Sequence, residues 1–196
     1  MKIIGLTGGI GTGKSTVSNY LIEKGFKIAD ADKIAREIVM PGMPALEEIR
    51  NVFGESVINE DGSLNRKALG AIVFKDENKR KTLESITMSK ICEVIEERTN
   101  EYRNTEKHIA FIDAPLLFEA GLDRLTDEIW VVDADIEVRL ERVMKRDNIS
   151  REAVMDRINS QFAKDFLLSK ADVILDNSGT LEELIAQIDK LLGEYE

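Results

Sequence analysis

Residues 5–16 read GLTGGIGTGKST, close behind the apolar start KII, and no other stretch constrains the chain as tightly. Glycine is costly in backbone entropy and offers no side chain to a core, so a cluster marks a backbone that something must approach closely. Gly8, Gly9, Ile10, Gly11, Thr12, Gly13, Lys14 and Ser15 satisfy G-x-x-x-x-G-K-[ST] without a mismatch. The chemistry behind that order needs a strand, a loop whose N–H groups wrap a phosphate, and a helix whose N-terminus adds positive potential. Lys14 is then placed for the β- and γ-phosphates, and the Ser15 hydroxyl for a Mg²⁺ ion. A nucleoside triphosphate site is expected here.

The rest of the chain fits that start. Short runs rich in Ile, Val or Phe occur at 2–7, 27–30, 108–113, 128–133 and 172–176. They lack the alternation of half-exposed strands, and helical patterns separate them, which predicts a parallel α/β sheet of five strands. A helix is expected from Ser15 to Lys24, ending at Gly25, and another along the stripe Leu181, Leu184, Ile185, Ile188, Leu191 and Leu192. Two segments break the alternation. After the Pro-Gly-Met-Pro punctuation at 41–44 no convincing strand appears until about 105, which reads as a helical insertion; 136–170 reads as a second helical excursion. The expected division is a core of 1–40, 106–135 and 171–196, an insertion of 41–105, and a lid of 136–170. In open α/β sheets ligands bind beyond the carboxyl ends of the strands, where Thr7, Asp30, Asp32 and Asp113 gather.

Charge narrows the partner. A net charge of −10 argues against a general nucleic-acid binder, and the apolar runs are too short to span a membrane. Arg139, Arg142, Lys145, Arg146, Arg151 and Arg157 nevertheless concentrate positive charge in one segment. A solvated helix face is the simple reading of that run; a polyanion site is the other. Arg142 and Arg146, four residues apart, share a helix face and can close on phosphates together. A single cysteine, Cys92, and a start without an export leader point to the cytoplasm.

Among nucleotide-using classes, a GTPase switch should carry Asn-Lys-x-Asp, and none is present. The D-x-x-G match at 176–179 follows the last strand, where no switch is expected, and a motor would need a larger chain. A small-molecule kinase remains, with the arginine-bearing segment closing as a lid to neutralise phosphates and keep out water. Such a reaction needs a carboxylate to orient the acceptor hydroxyl or take its proton, and Asp32 is the candidate. The alternative for Asp30 and Asp32 is that they cap the following helix.

These stretches together resemble the dephospho-coenzyme A kinase family. The resemblance rests on IGLTGGIGTGKSTV (4–17), DADKIARE (30–37), FIDAPLLFEAGL (111–122), RVMKRDNIS (142–150), RINSQ (157–161) and ADVILDNSGTLEEL (171–184), in the family's order and from end to end. It implies a P-loop kinase with a three-layer α/β/α core, a helical substrate-binding insertion and a helical lid. It also implies transfer of the ATP γ-phosphate to the ribose 3′-hydroxyl of dephospho-CoA with Mg²⁺. By the same resemblance residues 11–16, including Thr16, hold the ATP phosphates, and Asp32 serves the acceptor. Arg142 and Arg146 lie over ATP, Arg157 and Gln161 near its phosphates, and Asn177 beside its adenine. The insertion receives the CoA end of the acceptor. Two departures stand out: Thr87-Met88-Ser89-Lys90 where the family often reads His-Pro, and Arg139 where its lid often has Gln. Kinases of other small acceptors and a non-catalytic nucleotide-binding protein are the competing readings.

Overall fold

The computed structural model describes residues 1–103, 108–160 and 164–195. A five-stranded sheet runs β2–β3–β1–β4–β5, from β1 (Lys2–Thr7), β2 (Ile28–Asp30), β3 (Ile109–Asp113), β4 (Glu128–Asp133) and β5 (Val173–Asp176). β1 pairs in parallel with β3 and β4, and β4 with β5. β1 and β4 begin and end where the apolar runs do; β2, β3 and β5 each start one residue later than expected. β1 is central and buried on both faces, which explains its unbroken Ile-Ile-Gly-Leu run.

By its contacts the chain divides into two compact units, Met1–Ala29 with Glu101–Glu196, and Asp30–Asn100. In the first, α1 (Lys14–Glu23) and α9 (Leu181–Leu192) cover one face of the sheet. Val17, Leu21, Leu184, Ile188 and Leu192 bury against Ile4, Leu6, Phe111, Trp130, Val132 and Leu175. α1 starts one residue before the expected Ser15, because Gly13 is its cap. Thr180 and Glu183 form a reciprocal capping box that starts α9. The arginine-bearing segment folds as α6 (Ile136–Asp147), α7 (Arg151–Asn159) and α8 (Lys164–Lys170). Leu140, Val143 and Val154 form a small core of their own there. Asn148, in the left-handed region at φ 53°, ends α6, and the Ser150 side chain caps α7.

The second unit is helical, with α2 (Ala31–Glu37), α3 (Pro44–Phe53), α4 (Arg66–Val73) and most of α5 (Glu77–Tyr102); the last three fall in the segment without strand signals, 41–105. Leu46, Ile49, Val57, Ile91 and Ile95 are buried, as is the free Cys92. α5 runs as one 26-residue helix through the Thr87-Met88-Ser89-Lys90 stretch. Arg98 pairs with Glu37, tying α5 to α2. Among the described residues no helix is long and apolar enough to cross a membrane.

Candidate active site

The loop between β1 and α1 is built by its neighbours. A Cβ on Gly8 would stand 2.5 Å from the Val132 carbonyl oxygen, and one on Gly11 2.8 Å from that of Arg139. At Gly13, where φ is +90°, it would fall 2.0 Å from Nδ2 of Asn177. The close approach that the glycines announce is therefore made first by the protein's own chain. Asn177 is buried behind the loop, and its Nδ2 donates to the Thr12 carbonyl at 2.7 Å. Thr12, also buried, turns its hydroxyl onto the Gly9 carbonyl at 2.8 Å. Both are braces of the loop rather than parts of its open face.

That open face bounds a cavity of about 410 Å³, lined by Gly8, Gly9, Ile10, Gly11, Gly13, Lys14 and Ser15 from the loop and by Pro115, Arg142, Val143 and Arg146 opposite. α1 points its N-terminus at it with Gly13 as cap, no side-chain cap bond and no acid in the first turn. Every other described α-helix has one or the other. The positive end of the helix is left for an anion.

Lys14 pairs with Asp113 at the end of β3, a contact set by the β1–β3 register that places Leu6 beside Asp113. The Ser18 hydroxyl donates to the other carboxylate oxygen, so Asp113 is held by two residues one turn apart on α1. Arg142 gives Nη2 to the Asn177 carbonyl at 3.0 Å, whereas its Nη1 is buried with no acceptor among the described residues. That nitrogen lies 3.7 Å from the Cβ position of Gly13. A buried guanidinium nitrogen without an acceptor, on the wall of a cavity beside a helix N-terminus, fits an anionic ligand group. Among the described residues no cluster of three His, Cys, Asp or Glu could hold a metal. A Mg²⁺ ion would fit here only as one arriving with phosphates, Ser15 adding a hydroxyl, which is how magnesium is commonly bound.

Other expected residues fall elsewhere. Thr16 lies on the first turn of α1 but lines a separate groove against α9. Arg157 is exposed and paired with Asp147 rather than lining the cavity. Asp30 caps α2, accepting from the Lys33 N–H at 2.9 Å, whereas Asp32 stands exposed in the first turn of that helix with its carboxylate uncommitted to the cap. Gln161 lies outside the described residues. The simple reading of the arginine run as a solvated face fails at Arg139, which is 6 % exposed. Its Nε donates to the Ile10 carbonyl at 2.9 Å, bracing the loop from the α6 side. Burial lowers its pKa, against the pull of Asp133.

One family model, described as dephospho-CoA kinase, matches residues 2–183, a range that includes every residue of the cavity wall. The chain belongs to the dephospho-CoA kinase family. A dephospho-CoA kinase from Corynebacterium glutamicum is 45 % identical over 194 residues, covering 99 % of this chain and 97 % of the relative. One from Geobacter sulfurreducens is 44 % identical, with 97 % of each covered. Among solved structures, the dephospho-CoA kinase from Campylobacter jejuni superposes with a TM-score of 0.73 at 31 % identity, over 99 % of this chain and 98 % of its own. Shikimate kinase from Acinetobacter baumannii, at 15 % identity and a TM-score of 0.51, shares the fold alone. Membership of the dephospho-CoA kinase family makes this chain an ATP-dependent phosphotransferase with an alcohol acceptor.

Proposed function

We propose that the cavity over residues 8–15 takes the phosphates of Mg-ATP and that the γ-phosphoryl group passes from it to the ribose 3′-hydroxyl of dephospho-CoA. The observation that carries this reading is the convergence of Lys14, Arg142 and Arg146 on a loop at the uncapped start of α1. Phosphoryl transfer consists mostly of positioning and charge neutralisation, and that set supplies both.

In this scheme residues 11–16 hold the phosphates, the N–H groups of Gly11, Gly13, Lys14 and Ser15 serving as donors while those of Thr12 and Thr16 donate to the Gly9 and Gly13 carbonyls. Lys14 exchanges Asp113 for the β- and γ-oxygens, and Arg142 brings its unpartnered Nη1 to the same group. Ser15 would add its hydroxyl to a Mg²⁺ ion bound with the nucleotide, and such an ion would supply further neutralisation of phosphate charge. Arg146, Arg157 and Gln161 act from the lid, 136–170, and the chain around Asn177 borders the adenine, Asn177 itself bracing the loop from behind. Asp32 orients the acceptor hydroxyl or takes its proton as the new O–P bond forms and the bond to the β,γ-bridging oxygen breaks. The insertion, 41–105, receives the rest of dephospho-CoA, and the setting is the cytoplasm.

The test is product analysis by mass spectrometry after mixing the protein with Mg-ATP and dephospho-CoA, with AMP, adenosine and pantetheine phosphate as rival acceptors. Protein- and magnesium-dependent 3′-phosphorylation of dephospho-CoA alone is expected. Consumption of a rival in its place would mean that the insertion around Met88 serves another acceptor.

A further inference from the structure

α6 ends on an acid, Asp147, directly beside the arginines assigned to phosphate. Asp147 receives Nε of Arg146 at 2.7 Å and its Nη2 at 3.1 Å, one guanidinium edge on both carboxylate oxygens. Nη1 of Arg157, from α7, donates to Oδ2 of the same carboxylate at 2.7 Å. The Arg146 hydrogen bond holds Asp147 below the usual carboxylate range despite some burial, and Asp147 in turn raises Arg146.

Stability does not explain the arrangement. The side chains of Arg146 and Arg157 are 62 % and 51 % exposed, and ion pairs so open to water contribute little to folding. Nor does attraction of a nucleotide explain it, because a carboxylate beside a phosphate site opposes the incoming charge. What the pairing does fix is direction. A guanidinium has five N–H groups in one plane; with the Nε edge committed to Asp147, the Nη1 edge is the one left, on a residue that lines the cavity over the glycine loop. Asn148, left-handed at φ 53°, then turns the chain immediately after Asp147, so the carboxylate sits at the corner where α6 gives way to α7.

We propose that Asp147 is a positioning residue for phosphoryl transfer: it aims Arg146 at the transferring phosphate and couples it to Arg157, so that the two guanidiniums move as one unit with the corner between α6 and α7. The inference rests on the phosphate cavity of the proposed function and acts through Arg146, not through contact with substrate.

The test is a double-mutant cycle on turnover. Asp147→Asn keeps the shape and removes the charged, two-armed acceptor. It is expected to lower kcat by about tenfold or more, as misaimed groups do. The same change made in an Arg146→Ala background should have almost no further effect. Asp147→Glu should recover part of the loss, and the thermal midpoint of Asp147→Asn should stay close to that of the parent. Equal losses in both backgrounds, an unchanged kcat, or a collapsed midpoint would each overturn the proposal, the last by making Asp147 a structural tie. The cycle is run both with dephospho-CoA and as ATP hydrolysis without acceptor. A parent that hydrolyses ATP but phosphorylates no dephospho-CoA would refute the proposed acceptor while the hydrolysis arm still decides the role of Asp147.

Discussion

Asn177 is the residue on which the loop's shape depends most directly, and its replacement separates two ways of bracing it. Its amide nitrogen fills the space beside Gly13 and donates to the Thr12 carbonyl at 2.7 Å, with the residue only 5 % exposed. Asn177→Ala takes that donor away from the Thr12 carbonyl and leaves a gap beside Gly13. Leaving a buried carbonyl without its donor costs about 1–3 kcal/mol. At about 2–4 °C per kcal/mol for a chain of this size, the thermal midpoint should fall by about 2–12 °C. Arg142 keeps its bond to the Asn177 backbone carbonyl, so Mg-ATP still binds and still raises the midpoint of the variant. Asn177→Asp is the sharper probe. It has the same shape, and its carboxylate can pair with Arg142, but it sets an oxygen against the Thr12 oxygen instead of an N–H. It should lose at least as much as the alanine variant at neutral pH. Differential scanning fluorimetry with and without Mg-ATP reads both effects. An Asn177→Asp protein as stable as the parent would show that the Nδ2 bond does not brace the loop and would refute the reasoning.

Lys14→Ala should cut turnover by about 10²–10³ and also destabilise the fold, because it strands the Asp113 carboxylate, itself 7 % exposed. Adding Asp113→Asn should restore the unfolding midpoint but not kcat, and a double variant no more stable than the single would contradict the pairing. Asp32→Asn is expected to lower kcat by about 10²–10⁴ with Mg-ATP affinity unchanged by calorimetry; equal losses in both would remove Asp32 from the acceptor side. At the other end of the sheet, Glu128 accepts from Lys2, Trp130 and Tyr195. Burial raises the Tyr195 pKa, and Glu128 raises it further. The neutral phenol therefore stabilises the fold below the usual tyrosine value of about 10, and that contribution is lost as pH climbs above it. Tyr195→Phe should flatten this alkaline limb of the stability curve, and an unchanged limb would assign it to other groups.

The sheet was legible because its strands are short and apolar and, β1 apart, each ends on an aspartate. β1 and β4 could be bounded to the residue from Lys2 to Thr7 and from Glu128 to Asp133. α5 was legible only in fragments. Its buried positions, Ile86, Ile91, Cys92, Ile95 and Thr99, are spread over a long polar helix with little apolar contrast around it. The Lys14–Asp113 pair spans 99 residues, and no local pattern predicts it; it follows from the β1–β3 register, which only the folded sheet fixes. Arg139 was hidden by its charge. It shares the buried stripe of α6 with Leu140 and Val143, and its burial is offset by the Ile10 carbonyl, which receives its Nε, and by the charge of Asp133.

The glycines carry a further lesson about what the loop motif measures. Read alone, they announce a ligand that must touch backbone. In the folded chain, side chains at Gly8, Gly11 and Gly13 are excluded by the Val132 carbonyl, the Arg139 carbonyl and the Asn177 amide. The loop is thus clamped by the end of β4, by α6 and by the turn after β5. Two of those neighbours belong to residues that also brace the loop by hydrogen bonds, Arg139 to Ile10 and Asn177 to Thr12. The same glycines therefore do two jobs: they let the scaffold close on the loop from behind, and they keep its front clear of side chains where it faces the cavity. Preorganisation of that kind is what phosphoryl transfer requires, since donors already fixed need not reorganise when charge develops. The part of the motif that speaks for phosphate is then Lys14, Ser15 and the uncapped start of α1, while the glycines speak for the rigidity that makes those groups useful.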